Sequence, residues 1–374
     1  MTKRNETLDI IRIAAMLCIN GIHFFHNSGF YGTPVEGGTM MLMCTFRNLF
    51  IICVPMFLML SGYLMNQKKP EKKYFLGIFK TINTYIICSV VFFLVSKFVM
   101  GEEAGFKDFI TDLFGFEGTR YGWYIEMYLG LYLLIPFLNI LFNGLKDKRQ
   151  AEYLLAALFV VSMLPSFVNA FRFESAEWWL LPSSSDEYFQ IMPQWWDNLY
   201  PILFYFAGAY LAKYKPNIPV GLNAVLLICS ITFNGAFCYY RSIGGSFKWG
   251  DWNSNNSPTI AVTAFLTFTL LLNIKFKKEN KIRGFILKTM SNACLFAYLL
   301  SGTFDTVYYD IFKSRIPAAK DRFAYAPVMI LLMFALSVCS GITLNIIYTE
   351  AASAVKRLAA AAGNKLFCKP NIKK

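Results

Sequence analysis

Apolar blocks about as long as a bilayer is thick recur ten times along this chain, over residues 8–27, 40–65, 78–100, 122–143, 153–171, 198–213, 220–240, 259–274, 284–311 and 326–350. A segment that leaves water must satisfy its own backbone N–H and C=O groups, and a helix does so within itself. Twenty helical residues rise about 30 Å, the depth of a hydrocarbon core, so each block predicts one membrane-spanning helix. The composition agrees: 56% of residues are hydrophobic and 16% charged, where a soluble domain carries about 25% charged residues. The expected fold is all-α, a polytopic integral membrane protein with about ten transmembrane helices.

The segments between blocks alternate in character. One set is short and basic, as in "QKKPEKK", "KDKRQ" and "KFKKENKIR"; the other is longer and holds acids, glycines and tryptophans, as in "QWWDN". The basic set and the two termini hold 22 Lys and Arg, the other set nine, and five fall inside blocks. The excess of positive charge marks the cytoplasmic side, so both termini are expected in the cytoplasm and the chain in the inner or plasma membrane. The net charge of +13 is thereby explained by topology, and no nucleic-acid partner is expected. Residues 1–355 read as one transmembrane domain and 356–374 as a basic cytoplasmic tail.

The first block follows Lys3 and Arg4 as a signal peptide would, but Arg12 interrupts it and no small-residue cleavage site follows. It reads as a retained helix. The nine cysteines are scattered without metal-ligand spacing; they read as small buried hydrophobes, and no metal is expected. All seven tryptophans fall on or beside the predicted outer side. They suit either an aromatic belt at the headgroups or a cleft whose rings stack on a sugar.

The first block, "LDIIRIAAMLCINGIHFFH", also carries Asp9, Arg12 and the only two histidines of the chain, His23 and His26. Charged or titratable groups in hydrocarbon cost several kcal/mol and mark function. Eleven helical residues separate Arg12 from His23 by about 16 Å along the axis and leave them on one face. Asp9, one turn from Arg12, is placed to hold it. With the amino terminus inside, the pair suits a reaction that takes a charged donor from the cytoplasm and delivers a group outward.

Four motifs in order resemble acyltransferase family 3, a family of membrane-bound acyltransferases. They are "LDIIRIAAMLCINGIH", with its Arg, ten residues and His; "RNLFIICVPMFLMLSGYLM", followed by the basic "KKPEKKYFLGIFK"; "GWYIEMYLGLYLLIPFLN"; and "LFAYLLSGTFDTVYYD". The resemblance runs over residues 5–350. Three positions depart from it: Ser301 and Tyr121 stand where many members have a histidine, and lysines replace an Arg-x-x-Arg.

The resemblance implies transfer of an acetyl or other short acyl group from cytoplasmic acetyl-CoA, or another acyl-CoA, to a hydroxyl of an envelope or exported glycan or its lipid-linked precursor. A hydroxyl attacks a thioester poorly near pH 7, and a positioned imidazole that accepts its proton contributes about 10²–10⁴-fold. His23 is the candidate base, with His26 its alternative. Glu126 and Asp305, read as buried carboxylates, are candidates to orient it, or else to secure helix contacts. Arg12 and Arg47 suit CoA phosphates or internal pairing with Asp9 or Glu126, and Lys72, Lys73 and Lys80 suit phosphates or membrane anchoring. Trp123, Tyr124, Trp195 and Trp196 are the candidate acceptor contacts. Ser61 lacks a nucleophile elbow, and Gly62 beside it reads as a close-packing position. A transporter or flippase, or a non-enzymatic component of polysaccharide export, shares the span count and the buried charges. His23→Asn separates them, because only an enzyme needs that side chain for turnover.

Overall fold

A computed structural model describes residues 4–103, 105–172, 175–183, 190–276 and 279–367. The regular structure of the described residues is helical; among them no strand forms, and an isolated bridge joins Val35 to Ile243. The helices are α1 (Glu6–Asn27), α2 (Gly37–Phe50), α3 (Cys53–Met65), α4 (Lys72–Leu76), α5 (Ile78–Phe98), α6 (Phe106–Phe114), α7 (Trp123–Asn143) and α8 (Lys148–Ser162). There follow α9 (Leu164–Val168), α10 (Ala176–Leu180), α11 (Tyr200–Tyr214), α12 (Val220–Ser242), α13 (Pro258–Leu272), α14 (Lys281–Arg315), α15 (Ala319–Arg322) and α16 (Ala326–Phe367).

Eight stretches among the described residues are long and apolar enough to cross a membrane: Glu6–Asn27, Gly37–Met65, Lys72–Phe98, Trp123–Asn143, Lys148–Val168, Val220–Ser242, Lys281–Arg315 and Ala319–Arg357. The other two expected spans are α11 and α13, helices of 15 residues each. At 1.5 Å per residue each rises about 22 Å, less than a hydrocarbon core is deep. Prolines divide two of the long stretches. Pro55 supplies no N–H to Ile51, and the helix breaks at Ile51–Ile52 before resuming as α3. Pro165 separates α8 from α9 in the same way. The cytoplasmic tail expected from residue 356 begins inside α16, which continues to Phe367, and residues 368–374 lie outside the described residues.

α1 is the central helix. Two thirds of its apolar window (67%) is buried, against 17% for α12, and it packs on α14, α3, α16 and α2. Asn5 starts it, its side chain accepting the Thr7 N–H at 3.0 Å, with Glu6 and Asp9 in the positively polarised first turn. The amino-terminal end of the bundle is tied by Glu6 to Arg283 on α14 (2.8 Å) and by the Thr7 hydroxyl to the Ile274 carbonyl (3.0 Å). At the far end, Val35 N–H donates to Gly245 O (2.8 Å), and Arg322 donates to Ser28 O (2.5 Å). A continuous α1 between these ends sets the distance from Arg12 to His23.

Candidate active site

His23 is buried on α1, 5% exposed. Its Nδ1 lies 2.9 Å from Oδ2 of Asp305, which is 1% exposed on α14. A carboxylate accepts only, so this bond places the imidazole proton on Nδ1 and leaves Nε2 with a free lone pair. Tyr121, in the turn before α7, lies flat on the imidazole, ring centroids 3.6 Å apart and planes 25° apart. Its hydroxyl donates to the same Oδ2 at 2.9 Å and accepts from Asn27 Nδ2 at 3.2 Å. Asn27 Nδ2 also donates to His23 O (2.7 Å), and its Oδ1 accepts from Arg120 (2.8 Å). The Tyr298 hydroxyl donates to the Tyr121 carbonyl, fixing the turn. Ser301 sits with Oγ 3.4 Å from Nδ1.

Nearly two turns into α1, Arg12 donates to Ser291 Oγ at 2.6 Å. It is not locked by Asp9, whose Oδ1 is 3.9 Å away. Arg4 holds that carboxylate instead, bidentate, with both bonds at 2.7 Å. Arg12 therefore keeps a guanidinium with donors to spare.

Both residues line one cavity of about 450 Å³. Arg12, Ser291, Asn292 and Lys80 line its amino-terminal end; Ile19, Cys53, Phe57, Tyr128 and Phe296 line its middle; His23, Tyr121, Trp123, His26 and Asn255 line its far end. The cavity thus runs along α1 between two chemically different ends, cationic and polar at one, basic and aromatic at the other. Its waist is lined mainly by apolar side chains.

Of the other residues singled out in the sequence, Tyr124 also lines the cavity. Lys72 and Lys73 are exposed on α4 and Trp195 and Trp196 on the far-end loop, and none of the four lines it. Arg47 is fully buried beside the cavity, not in its lining. Its guanidinium lies over the Phe247 and Trp249 rings at 5.1 and 4.8 Å and donates to Tyr31 Oη (3.3 Å), Asn48 Oδ1 (3.4 Å) and the Asn253 carbonyl. Apart from Asn48 on α2 itself, these partners belong to far-end segments, so Arg47 is not brought together with Arg12. Glu126 corrects an expectation: it is exposed rather than buried. α7 buries Ile125, Leu131, Ile135 and Asn139, and Glu126 falls outside that stripe. Asp305 is the carboxylate that meets His23.

Asn27 and Ser291 escaped sequence reasoning, and Tyr121 was noted there as a departure from the family pattern without a role. Each is an ordinary polar residue 4 to 279 positions from its partner in the site, and no local spacing marks it.

A family model described as an acyltransferase domain matches residues 5–344, nearly the whole chain. A search of curated proteins and one of solved structures each returned no match.

Proposed function

The chain belongs to acyltransferase family 3, and from that premise we propose that it moves an acetyl or other short acyl group from acyl-CoA to a hydroxyl of an exported or cell-envelope glycan, or its lipid-linked precursor. The observation that carries this reading is that Arg12 and His23 line opposite ends of one cavity, with His23 backed by Asp305. In the proposed topology both termini face the cytoplasm and the chain sits in the inner or plasma membrane. CoA phosphates meet Arg12 and Lys80 at the cytoplasmic mouth, and the pantetheine arm carries the thioester up the apolar waist.

The acceptor hydroxyl enters from the far end. As its oxygen attacks the thioester carbon, Nε2 of His23 takes its proton and the imidazolium that forms is stabilised by Asp305. The tetrahedral intermediate then collapses, the C–S bond breaks, and CoA leaves as a thiolate that receives the proton from His23. The products are the acyl ester and free CoA.

Purified protein assayed for acetyl-CoA binding and free-CoA release tests this. Wild type should bind and turn over, Arg12→Ala should bind weakly, and His23→Asn should bind but lose about 10²–10⁴ in rate. Failure of the wild type to bind any acyl-CoA would remove the reading.

A further inference from the structure

The far end of the cavity is asymmetric in charge. Two arginines lie near His26 and act on it electrostatically, Arg47 and Arg120. Neither has a carboxylate within ion-pair distance among the described residues. Arg47 is wholly buried, partnered by two side-chain oxygens, a carbonyl and two aromatic faces, and its second terminal nitrogen has no partner. Arg120 is exposed next to Tyr121 of the lining, though not itself part of that lining, and among the described residues its guanidinium rests on Asn27 Oδ1 (2.8 Å) and Thr306 Oγ1 (3.2 Å). The one carboxylate at this end that meets the site, Asp305, is already committed to His23 and Tyr121.

Two further features point to a hydroxyl-rich, flat-faced occupant. Asn255 lines the cavity, and its Oδ1 is buried without a hydrogen-bond partner. A buried acceptor left unsatisfied is costly, and a sugar hydroxyl would supply its missing donor. A ring with room on it stands in the same lining: Trp123, 43% exposed. Trp249 is taken up already, by His26 stacked at 5.9 Å and by the Arg47 guanidinium over its ring at 4.8 Å. An open indole such as that of Trp123 matches the apolar face of a pyranose.

We infer that this end is an acceptor subsite for an anionic sugar, one bearing a carboxylate or phosphate beside the hydroxyl to be acylated, with Arg120 as its charge contact and Asn255 as its hydroxyl contact. Arg47 contributes through its field and does not touch the ligand. Identifying this sugar as the acceptor rests on the acyl-transfer reading above; the binding itself does not.

The test is tryptophan-fluorescence titration of the full-length protein without any acyl donor. The probes are methyl glucuronide (carboxylate), glucose 1-phosphate (phosphate) and methyl glucoside (neutral). At least one anionic probe should bind about tenfold or more tightly than the neutral one, as a charge-assisted contact requires. The preference should shrink as salt is raised. Arg120→Gln should abolish it and Arg120→Lys should retain part of it, while Asn255→Ala should weaken all three probes alike. Which anionic probe wins identifies the group. Equal binding of charged and neutral probes, no binding of any, or a preference that survives Arg120→Gln overturns the inference. Free-CoA release with the same probes separates the two readings. If Arg120-dependent binding occurs without acyl transfer, the subsite stands and the acyltransferase assignment of this cavity falls.

Discussion

The ring of Tyr121 lies on that of His23, 3.6 Å between centroids, and both residues donate to one oxygen of Asp305. This arrangement does more than hold a histidine in place. Stacking fixes the plane of the imidazole, and the carboxylate fixes its tautomer. The second donor on Oδ2 draws off part of the carboxylate's charge and so limits how strongly Asp305 favours the imidazolium. The other oxygen, Oδ1, is buried and has no partner, so Oδ2 carries the whole task.

Removing the members of this group separates their roles. Asp305→Asn keeps the shape but offers Nδ1 no charged acceptor and allows the wrong tautomer, and kcat is expected to fall about 10³–10⁴-fold. Tyr121→Phe keeps the stack and loses one hydrogen bond, so kcat should change by about tenfold or less. Tyr121→Ala loses both and should fall further. In all three, KM for acyl-CoA should stay near the wild-type value, because the donor phosphates are expected some 16 Å away along α1. A KM that moved with kcat would show that Tyr121 or Asp305 shapes donor binding instead.

At the other end, Arg4 takes the hydrogen bonds of Asp9 and leaves Arg12 a long ion pair with it. Both Asp9 oxygens are held by Arg4 at 2.7 Å, and Arg12 stays 3.9 Å distant. In Arg4→Gln the freed carboxylate, three residues below Arg12 on the same helix face, pairs with it. KM for acyl-CoA should then rise several-fold with kcat little altered. Adding Asp9→Asn to Arg4→Gln should restore it. Steady-state kinetics over a range of acyl-CoA concentrations reads both outcomes, and an additive loss in the double variant would contradict this account.

How much of this was legible in the chain differs from residue to residue. Arg12 and His23 stand out because titratable groups in an apolar block are rare and a helix converts their spacing into a length. Asp305 was visible for the same reason and stood with Glu126 as a candidate to orient His23, but the sequence could not choose between them, since nearly 300 residues separate Asp305 from His23. Glu126 was read as buried because α7 is apolar all round, so its periodicity points to no particular buried face. Arg47 was read with the donor group because its place in α2 says nothing about the loop of residues 243–257 that folds back over it. Tyr121 was noted as a departure from the family pattern but given no role: its importance comes from a turn fixed by Tyr298, 177 residues on.

A pH dependence of stability is expected at the far-end loops. Burial, with Asp251 nearby, pushes the Asp197 carboxyl up to about 6 from its ordinary 3.8. A carboxyl whose pKa is higher in the folded state favours folding only while protonated. Its penalty is absent below pH about 4, grows between about 4 and 6, and is complete above that range. Asp197→Asn should therefore raise the thermal midpoint at pH 8 and leave it unchanged at pH 4. Equal shifts at the two pH values would assign the effect to packing.

The cavity wall depends on two glycines that let α3 and α11 touch. A Cβ at Gly62 would strike the Tyr205 carbonyl, and one at Gly208 would strike the Met59 carbonyl, each closer than any real Cβ approaches backbone. The two sites face each other, so the helices meet backbone to backbone, as small residues permit within a membrane. α3 carries Val54, Phe57 and Ser61 of the cavity lining, and forcing the helices apart would shift that wall. Gly62→Ala and Gly208→Ala should each destabilise by about 1–3 kcal/mol, as overpacking does. Activity should fall with the loss of folded protein and beyond it. Gly130→Ala, a helical glycine with open space where its Cβ would stand, should be neutral or slightly stabilising, by up to about 1 kcal/mol. Thermal unfolding of the three variants in the same detergent, with turnover per folded molecule, decides the matter. If Gly62→Ala and Gly208→Ala behave like Gly130→Ala, α3 and α11 do not pack as closely as described.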